Sequence, residues 1–391
     1  MTPFWKLSAA GFAATAITYG PARMGFGLFL SEFRSAFPIS SGMAGMISGM
    51  GFFGMFIGLI AAYAALARFE PRLPVIAGLC AATAGMALVA TAPGLPALVA
   101  GVFLSMTSAG FAWSPFNSIV HREVPDDARP AALSIVSTGT SLGIAAAGMI
   151  AIIMSAGDMS WRIAWACFAG ASAAALLGNL LVLRTPKDCA GPGPCQPWGI
   201  LLHKTAMPLY AVALSFGTTS AIYISFAADR IEQAGGLPFI PAGASSAVMF
   251  ICFGAAGLVG LATGRIKSLA GLPDLIRLLM LISALSLGLV ALAPGSWTGV
   301  VLSASLQGCF VMMTSAILAF WSERLFPNLP ARSFTAALLA VAVGSVFGPV
   351  VAGFMTDAAG PVPMFLSAAA LSAATAAAIR PLHVKERPTP A

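Results

Sequence analysis

Two apolar stretches, STGTSLGIAAAG at residues 137–148 and AVGSVFGPVVAG at residues 342–353, carry glycines in the same register. Gly139, Gly143 and Gly148 of the first recur as Gly344, Gly348 and Gly353 of the second, each 205 positions later. Three matches in register, separated by about half of a 391-residue chain, mark an internal duplication. Glycines four or five apart on an apolar helix let a neighbouring backbone come close, as small-residue packing between membrane helices requires. Looser echoes lie just upstream. Arg122, Glu123, Pro125 and Arg129 precede the first stretch, and Glu323, Arg324, Pro327 and Arg332 precede the second.

The composition around this repeat is that of a membrane protein. The chain is 59% hydrophobic and 8% charged, whereas a soluble domain is roughly 25% charged. A water-soluble enzyme, a disordered chain and a nucleic-acid-binding domain are excluded as defaults. At ~20 apolar residues per crossing plus a short loop, the length accommodates about twelve helices. Long apolar runs broken by charge, Pro or Gly occur at 7 to 30, 42 to 67, 73 to 92, 95 to 119, 130 to 156, 161 to 183, 205 to 228, 240 to 264, 272 to 293, 296 to 320, 333 to 357 and 361 to 380. The fold class expected is an all-α polytopic membrane protein with twelve transmembrane helices. The longest polar interruption, RTPKDCAGPGPCQPWGILLHK at 184–204, divides it into an N-terminal six-helix bundle (1–183) and a C-terminal one (205–391) with a short tail.

Placing the N-terminus in the cytoplasm puts 15 of the 20 Lys and Arg residues on cytoplasmic loops and the tail, and leaves Arg34, Arg162 and Arg230 on the opposite side. That asymmetry satisfies the positive-inside rule and explains the net charge of +7 as an orientation signal. Both termini are then expected in the cytoplasm of a cell whose inner membrane the chain crosses. Cys80, Cys167, Cys252 and Cys309 sit in apolar runs and do not suggest disulfides. Cys189 and Cys195, in the central loop, lack the close spacing of a strong zinc motif. No metal and no cofactor is expected, and no phosphate-binding G-x-x-x-x-G-K-[ST] loop is present to support ATP hydrolysis.

With the duplicated glycines, the SWRIAW start of the sixth run at Ser160 to Trp165, the Pro-x3-Arg loop before the fifth, and GSVFGPVVAG followed by Asp357 and Gly360, the chain resembles the major facilitator superfamily over its whole length. The family's loop between helices two and three usually reads G-x-x-x-D-R-x-G-R-R. The matching stretch here, YAALARFEPR at Tyr63 to Arg72, keeps Arg68 and Arg72 but has Ala67 for the Asp and Glu70 for the Gly. The fifth run lacks the Gly-Pro of the drug-antiporter pattern, which argues against the drug-efflux branch. The resemblance implies two bundles related by a pseudo-two-fold axis, rocking about a cavity lined by helices one, four, seven and ten.

Within the spans, Arg23 is the informative charge. It lies about sixteen residues into the first run, roughly 7 Å past the midplane at 1.5 Å per residue. An Arg there costs at least ~2.5–3.5 kcal/mol on insertion scales, so it must face a polar cavity or a partner. Tyr19 is one turn below it, and Gly20 and Pro21 open the backbone between them. Two readings stay open: an anion-binding guanidinium, or a structural Arg that snorkels outward or pairs with a helix-end acid such as Glu32, Asp229 or Asp357. No Asp or Glu occupies the middle of any span. Symport with protons would therefore use a peripheral group, for which Glu32, Asp229 and Asp357 are the coupling candidates. Substrate-binding candidates besides Arg23 and Tyr19 are Thr107, Thr218, Thr219, Tyr223 and Gln307. Trp113 and Trp321 read as interface anchors. The functional expectation is a monomeric secondary transporter, not an enzyme, moving a small organic anion such as a monocarboxylate; the alternatives are an exporter of drugs or metabolites and a non-transporting membrane sensor.

Overall fold

The computed structural model describes residues 3–183, 201, 203–241, 243–380 and 384. The central loop, with Cys189 and Cys195, lies almost wholly outside the described residues. Helices are the only regular structure among those described. In a bilayer this follows from backbone chemistry, because a helix satisfies every N–H and C=O within its own segment.

Helix α1 is built in three pieces, Pro3–Tyr19, Pro21–Leu28 and Leu30–Ala36. The other helices are α2 (Ser41–Leu66), α3 (Arg72–Ala90), α4 (Leu95–Gly110 and Trp113–Glu123), α5 (Arg129–Ala156), α6 (Trp161–Val182) and α7 (Met207–Gln233). They continue as α8 (Ala244–Gly257 and Thr263–Ala270, joined by a tight turn of helix at Leu258–Ala262), α9 (Leu272–Leu292), α10 (Trp297–Leu325), α11 (Pro330–Ala359) and α12 (Pro361–Ala378). Eleven are long and apolar enough to cross a membrane unaided. The three pieces of α1 occupy the position of the expected first crossing, so the arrangement is consistent with twelve. Several starts carry side-chain caps: Ser40 Oγ accepts from Met43 N–H at 3.2 Å and Ser296 Oγ from Gly299 N–H at 2.9 Å.

The helices pack as two bundles with matching neighbours. In the first, α1 packs on α5, α2 on α4, and α3 on α4 and α6; in the second, α7 packs on α11, α8 on α10, and α9 on α10 and α12. The bundles meet where α2 crosses α11, where α5 crosses α8, and between the outer parts of α1 and α7. The first two crossings are exchanged by the pseudo-two-fold.

The duplicated glycines explain how one repeat serves both kinds of contact. A Cβ at Gly143 would strike the Ala16 backbone of α1, and one at Gly348 would sit 2.9 Å from the Thr218 carbonyl oxygen of α7. These positions fasten α5 and α11 within their own bundles. The third glycine of each set faces the other bundle instead. A Cβ at Gly148 would lie 2.8 Å from the Ala247 carbonyl oxygen of α8, and one at Gly353 would strike the Ser41 carbonyl oxygen of α2. Outward-facing Leu181, Phe347 and Val351 are well exposed, as lipid-facing side chains are, and Cys80 and Cys167 are exposed as well.

An even number of crossings brings Pro3 and Arg380 to one end of the molecule, the terminal end; the other end is distal. Cross-bundle glycine contacts at Gly27, Gly42, Gly45, Gly49, Gly148 and Gly353 lie in the distal half, and those of Gly254 and Gly257 with Ser141 of α5 reach the middle. The bundles are therefore closed together distally.

Candidate functional site

On the terminal side of this seal lies a cavity of about 210 Å³ between the bundles. Its lining draws on α1, α2, α4 and α5 of one bundle and α7, α8, α10 and α11 of the other. Helices two, five, eight and eleven thus join the four that the family resemblance implied.

Arg23 lines this cavity and is 8% exposed. Its position follows from the break in α1. A Cβ at Gly20 would lie 2.6 Å from the Gly143 backbone, so α1 and α5 touch where the first piece ends. Pro21 opens the second piece, and Ser105 Oγ of α4 donates to the Ala22 carbonyl at 3.1 Å. Arg23 is held between rings, its guanidinium carbon 5.7 Å from the centroid of Tyr19 and 5.7 Å from that of Phe52. Its Nε has no hydrogen-bond partner.

The acids that were candidate partners for Arg23 are engaged at the distal end. Asp229 pairs with Arg34 at 3.1 Å and accepts from Gln233 at 2.8 Å. Asp357 accepts from the backbone N–H of Ser41 at 3.0 Å and of Gly42 at 2.8 Å, so a residue of α11 caps α2 of the other bundle. Glu32 accepts from Ser31 at 2.8 Å. No Asp or Glu belongs to the cavity lining among the described residues. The structure thus separates the three coupling candidates from the cavity and gathers them at the distal seal.

The remaining candidates divide. Tyr19 lines the cavity with Arg23. Gln307 does not, although it shares a ridge of α10 with Val311, Ser315 and Ala319, which do. It is 0% exposed and both polar atoms of its amide lack hydrogen-bond partners. Thr107 donates to Phe103 O of its own helix at 2.7 Å and abuts Gly54 of α2. Thr218 donates to Leu214 O at 2.9 Å against Gly344 of α11, and Thr219 donates to Ser215 O at 2.9 Å. Tyr223 is buried against Ser303 of α10, 3.1 Å from its hydroxyl. These four lie outside the lining: the three threonine hydroxyls satisfy themselves on the preceding turn of their own helices, and Tyr223 turns to α10 within its own bundle. Trp321 is buried and Trp113 lines the cavity, so neither sits at an exposed interface.

Sequence reasoning missed the hydroxyl stripe of α5. Ser137, Thr138, Thr140 and Ser141 all line the cavity. Ser137 and Thr138 donate to their own helix. Thr140 and Ser141 carry no such side-chain bond among the described residues. The signal was present in STGTS, between glycines that bind α5 to α1 and so fix which face turns inward.

A family model described as Major Facilitator Superfamily matches residues 11–272. No curated protein sequence matches the chain. Among solved structures, a bacterial homologue of the human lysosomal transporter Spinster, inward-facing and unoccupied, is similar at a TM-score of 0.76 with 16% identity, covering 100% of each chain. A mutant of the nucleoside transporter NupG is similar at 0.76 with 14% identity, covering 97% of this chain and 99% of that one. A POT family transporter in complex with 5-aminolevulinic acid is similar at 0.77 with 14% identity, covering 98% and 96%. At these identities the likeness is one of fold.

Proposed function

Because the chain belongs to the Major Facilitator Superfamily, we propose that it is a secondary active transporter that moves a small organic anion by alternating access, with monocarboxylates as the leading class. The observation that carries this reading is Arg23. It lines a cavity between the bundles with no carboxylate in the lining among the described residues. A cation buried without a counter-charge is costly, and an incoming anion relieves that cost. The planar fork suits a carboxylate bidentately, and the Tyr19 hydroxyl one turn away adds a donor. Gln307 is the third anchor in this reading, engaged when the bundles tilt and its ridge turns to the substrate.

The distribution of cations supports a cytoplasmic terminal end. The cavity then belongs to an inward-open state. Coupling falls to the distal carboxylates Asp229, Glu32 and Asp357, since protonating Asp229 would release Arg34.

The test is a thermal-shift screen of the purified protein against organic anions and lipophilic cations, since a ligand that binds only the folded state stabilises it by mass action. Anions are expected to raise the Tm of the wild type and not of Arg23→Ala. Stabilisation by lipophilic cations alone would instead favour export of drugs and overturn the anion reading.

A further inference from the structure

The chemistry of the cavity narrows the substrate further, and this step rests on the reading of Arg23 as the anion anchor. Arg23 is the one charged residue in the lining among the described residues. A substrate ammonium entering the cavity would meet no carboxylate. A second substrate carboxylate would meet no second cation. Either would be stripped of water without a partner, the most unfavourable way to bury a charge.

The uncharged lining is unevenly spread. Polar groups follow the seam of α1 and α5, from Arg23 through Tyr19 to Thr140 and Ser141. The seam has a register, because Gly143 meets Ala16 and Gly139 meets Phe12 on parallel helices. Thr140 and Ser141 therefore lie nearer the terminal end than Arg23, which stands at the sealed end. The rest of the wall is apolar apart from the Trp113 indole and the Ser315 hydroxyl, which donates to Val311 O of its own helix, and includes Met55, Leu59, Phe216, Val311, Met312 and Leu338. Such a wall offers few partners to the several hydroxyls of a sugar or nucleoside. It does offer dispersion contacts to a hydrocarbon body, and flexible thioethers adapt to more than one shape.

We infer that the substrates are organic acids carrying a single negative charge on an apolar body, bound with the acid group at Arg23 and the body toward the terminal end, and that zwitterions and dianions are rejected. The inference concerns selectivity among anions, and matched ligands separate it from the anion reading itself. Hydrocinnamate, phenylalanine and benzylmalonate share one skeleton and differ by an added ammonium or an added carboxylate. Hexanoate, norleucine and butylmalonate repeat the comparison on a linear skeleton.

The full chain in detergent is titrated with each compound, with acetate as the acid group alone and hydrocinnamamide as the neutral analogue, and binding is read from the shift in Tm. Hydrocinnamate or hexanoate is expected to bind at least about tenfold more tightly than its zwitterion, its dianion and acetate. Phenylalanine or norleucine binding as well as its parent acid would overturn the inference, as would a preference for the malonates or no binding by any member. Hydrocinnamamide binding as well as hydrocinnamate, or an Arg23→Gln variant binding the acids unchanged, would overturn the anion reading beneath it.

Discussion

Arg34 and Asp229 pair at 3.1 Å between the distal ends of α1 and α7, the two helices that the pseudo-two-fold exchanges. Arg34 also donates to Ile39 O at 2.6 Å and to Ser41 Oγ at 3.0 Å, while Asp357 caps the same start of α2. Two side chains of the second bundle thus hold one corner of the first. The pair is partly buried, with Arg34 at 20% and Asp229 at 5% exposure, so solvent screens it less than a surface pair. Asp229→Asn is expected to shift the population toward a distally open state by roughly three- to tenfold, equivalent to about 0.7–1.4 kcal/mol. A cysteine at Ser48, buried against Ser225 of α7 at the seal, reports this in a background without native cysteines. Labelling by an impermeant maleimide from the distal side should quicken, and an unchanged rate would remove the pair from the gate.

The glycine repeat makes a paired prediction. Gly353→Leu forces apart α11 and α2, which must separate in the transport cycle anyway. Gly143→Leu forces apart α1 and α5 inside one bundle. Overpacking of this kind costs about 1–3 kcal/mol. The first variant should fold with a normal Tm and favour the distally open state, and the second should lose thermal stability. Equal losses of Tm in both would contradict the division of labour.

Arg23→Lys separates charge from shape. Lysine keeps the positive charge but presents a single ammonium in place of the bidentate fork. Affinity for an organic anion, measured in proteoliposomes, should fall by about tenfold, against about 10- to 100-fold for Arg23→Ala, since a hydrogen bond to a charged group is worth ~1.5–3 kcal/mol. Wild-type affinity in the alanine variant would exclude Arg23 from the binding site.

Gln307→Leu distinguishes a packing residue from an anchor. Both polar atoms of the amide are buried without partners, so leucine removes an uncompensated desolvation cost of ~1–3 kcal/mol. Tm should rise while transport falls. A rise in Tm with transport intact would confine Gln307 to the fold.

The hydroxyls of α5 are tested by Thr140→Val combined with Ser141→Ala. A neutral hydrogen bond contributes ~0.5–1.5 kcal/mol, so KM should rise by up to about tenfold for each bond made to substrate, with the bundles intact. An unchanged KM would leave only the seam of α1 and α5 to Arg23 and Tyr19.

The sequence by itself determined the helical membrane fold and the repeat and singled out Arg23, because apolar length, glycine register and an Arg in an apolar run are properties of the chain read locally. It also exposed the weak point at Gly20 and Pro21, where α1 divides. The tertiary structure decided which partner each face meets. Nothing local to Gly348 and Gly353 says that one meets α7 and the other α2, since both lie on the same apolar helix. Hydroxyls at Thr107, Thr218, Thr219 and Tyr223 read like those at Thr140 and Ser141, yet only the α5 pair reaches the cavity. A helix presents every azimuth to some neighbour, and only the packing of two bundles selects the azimuth that faces the space between them. The same packing carried Asp229 and Asp357 to the distal seal and left Arg23 alone on its cavity wall.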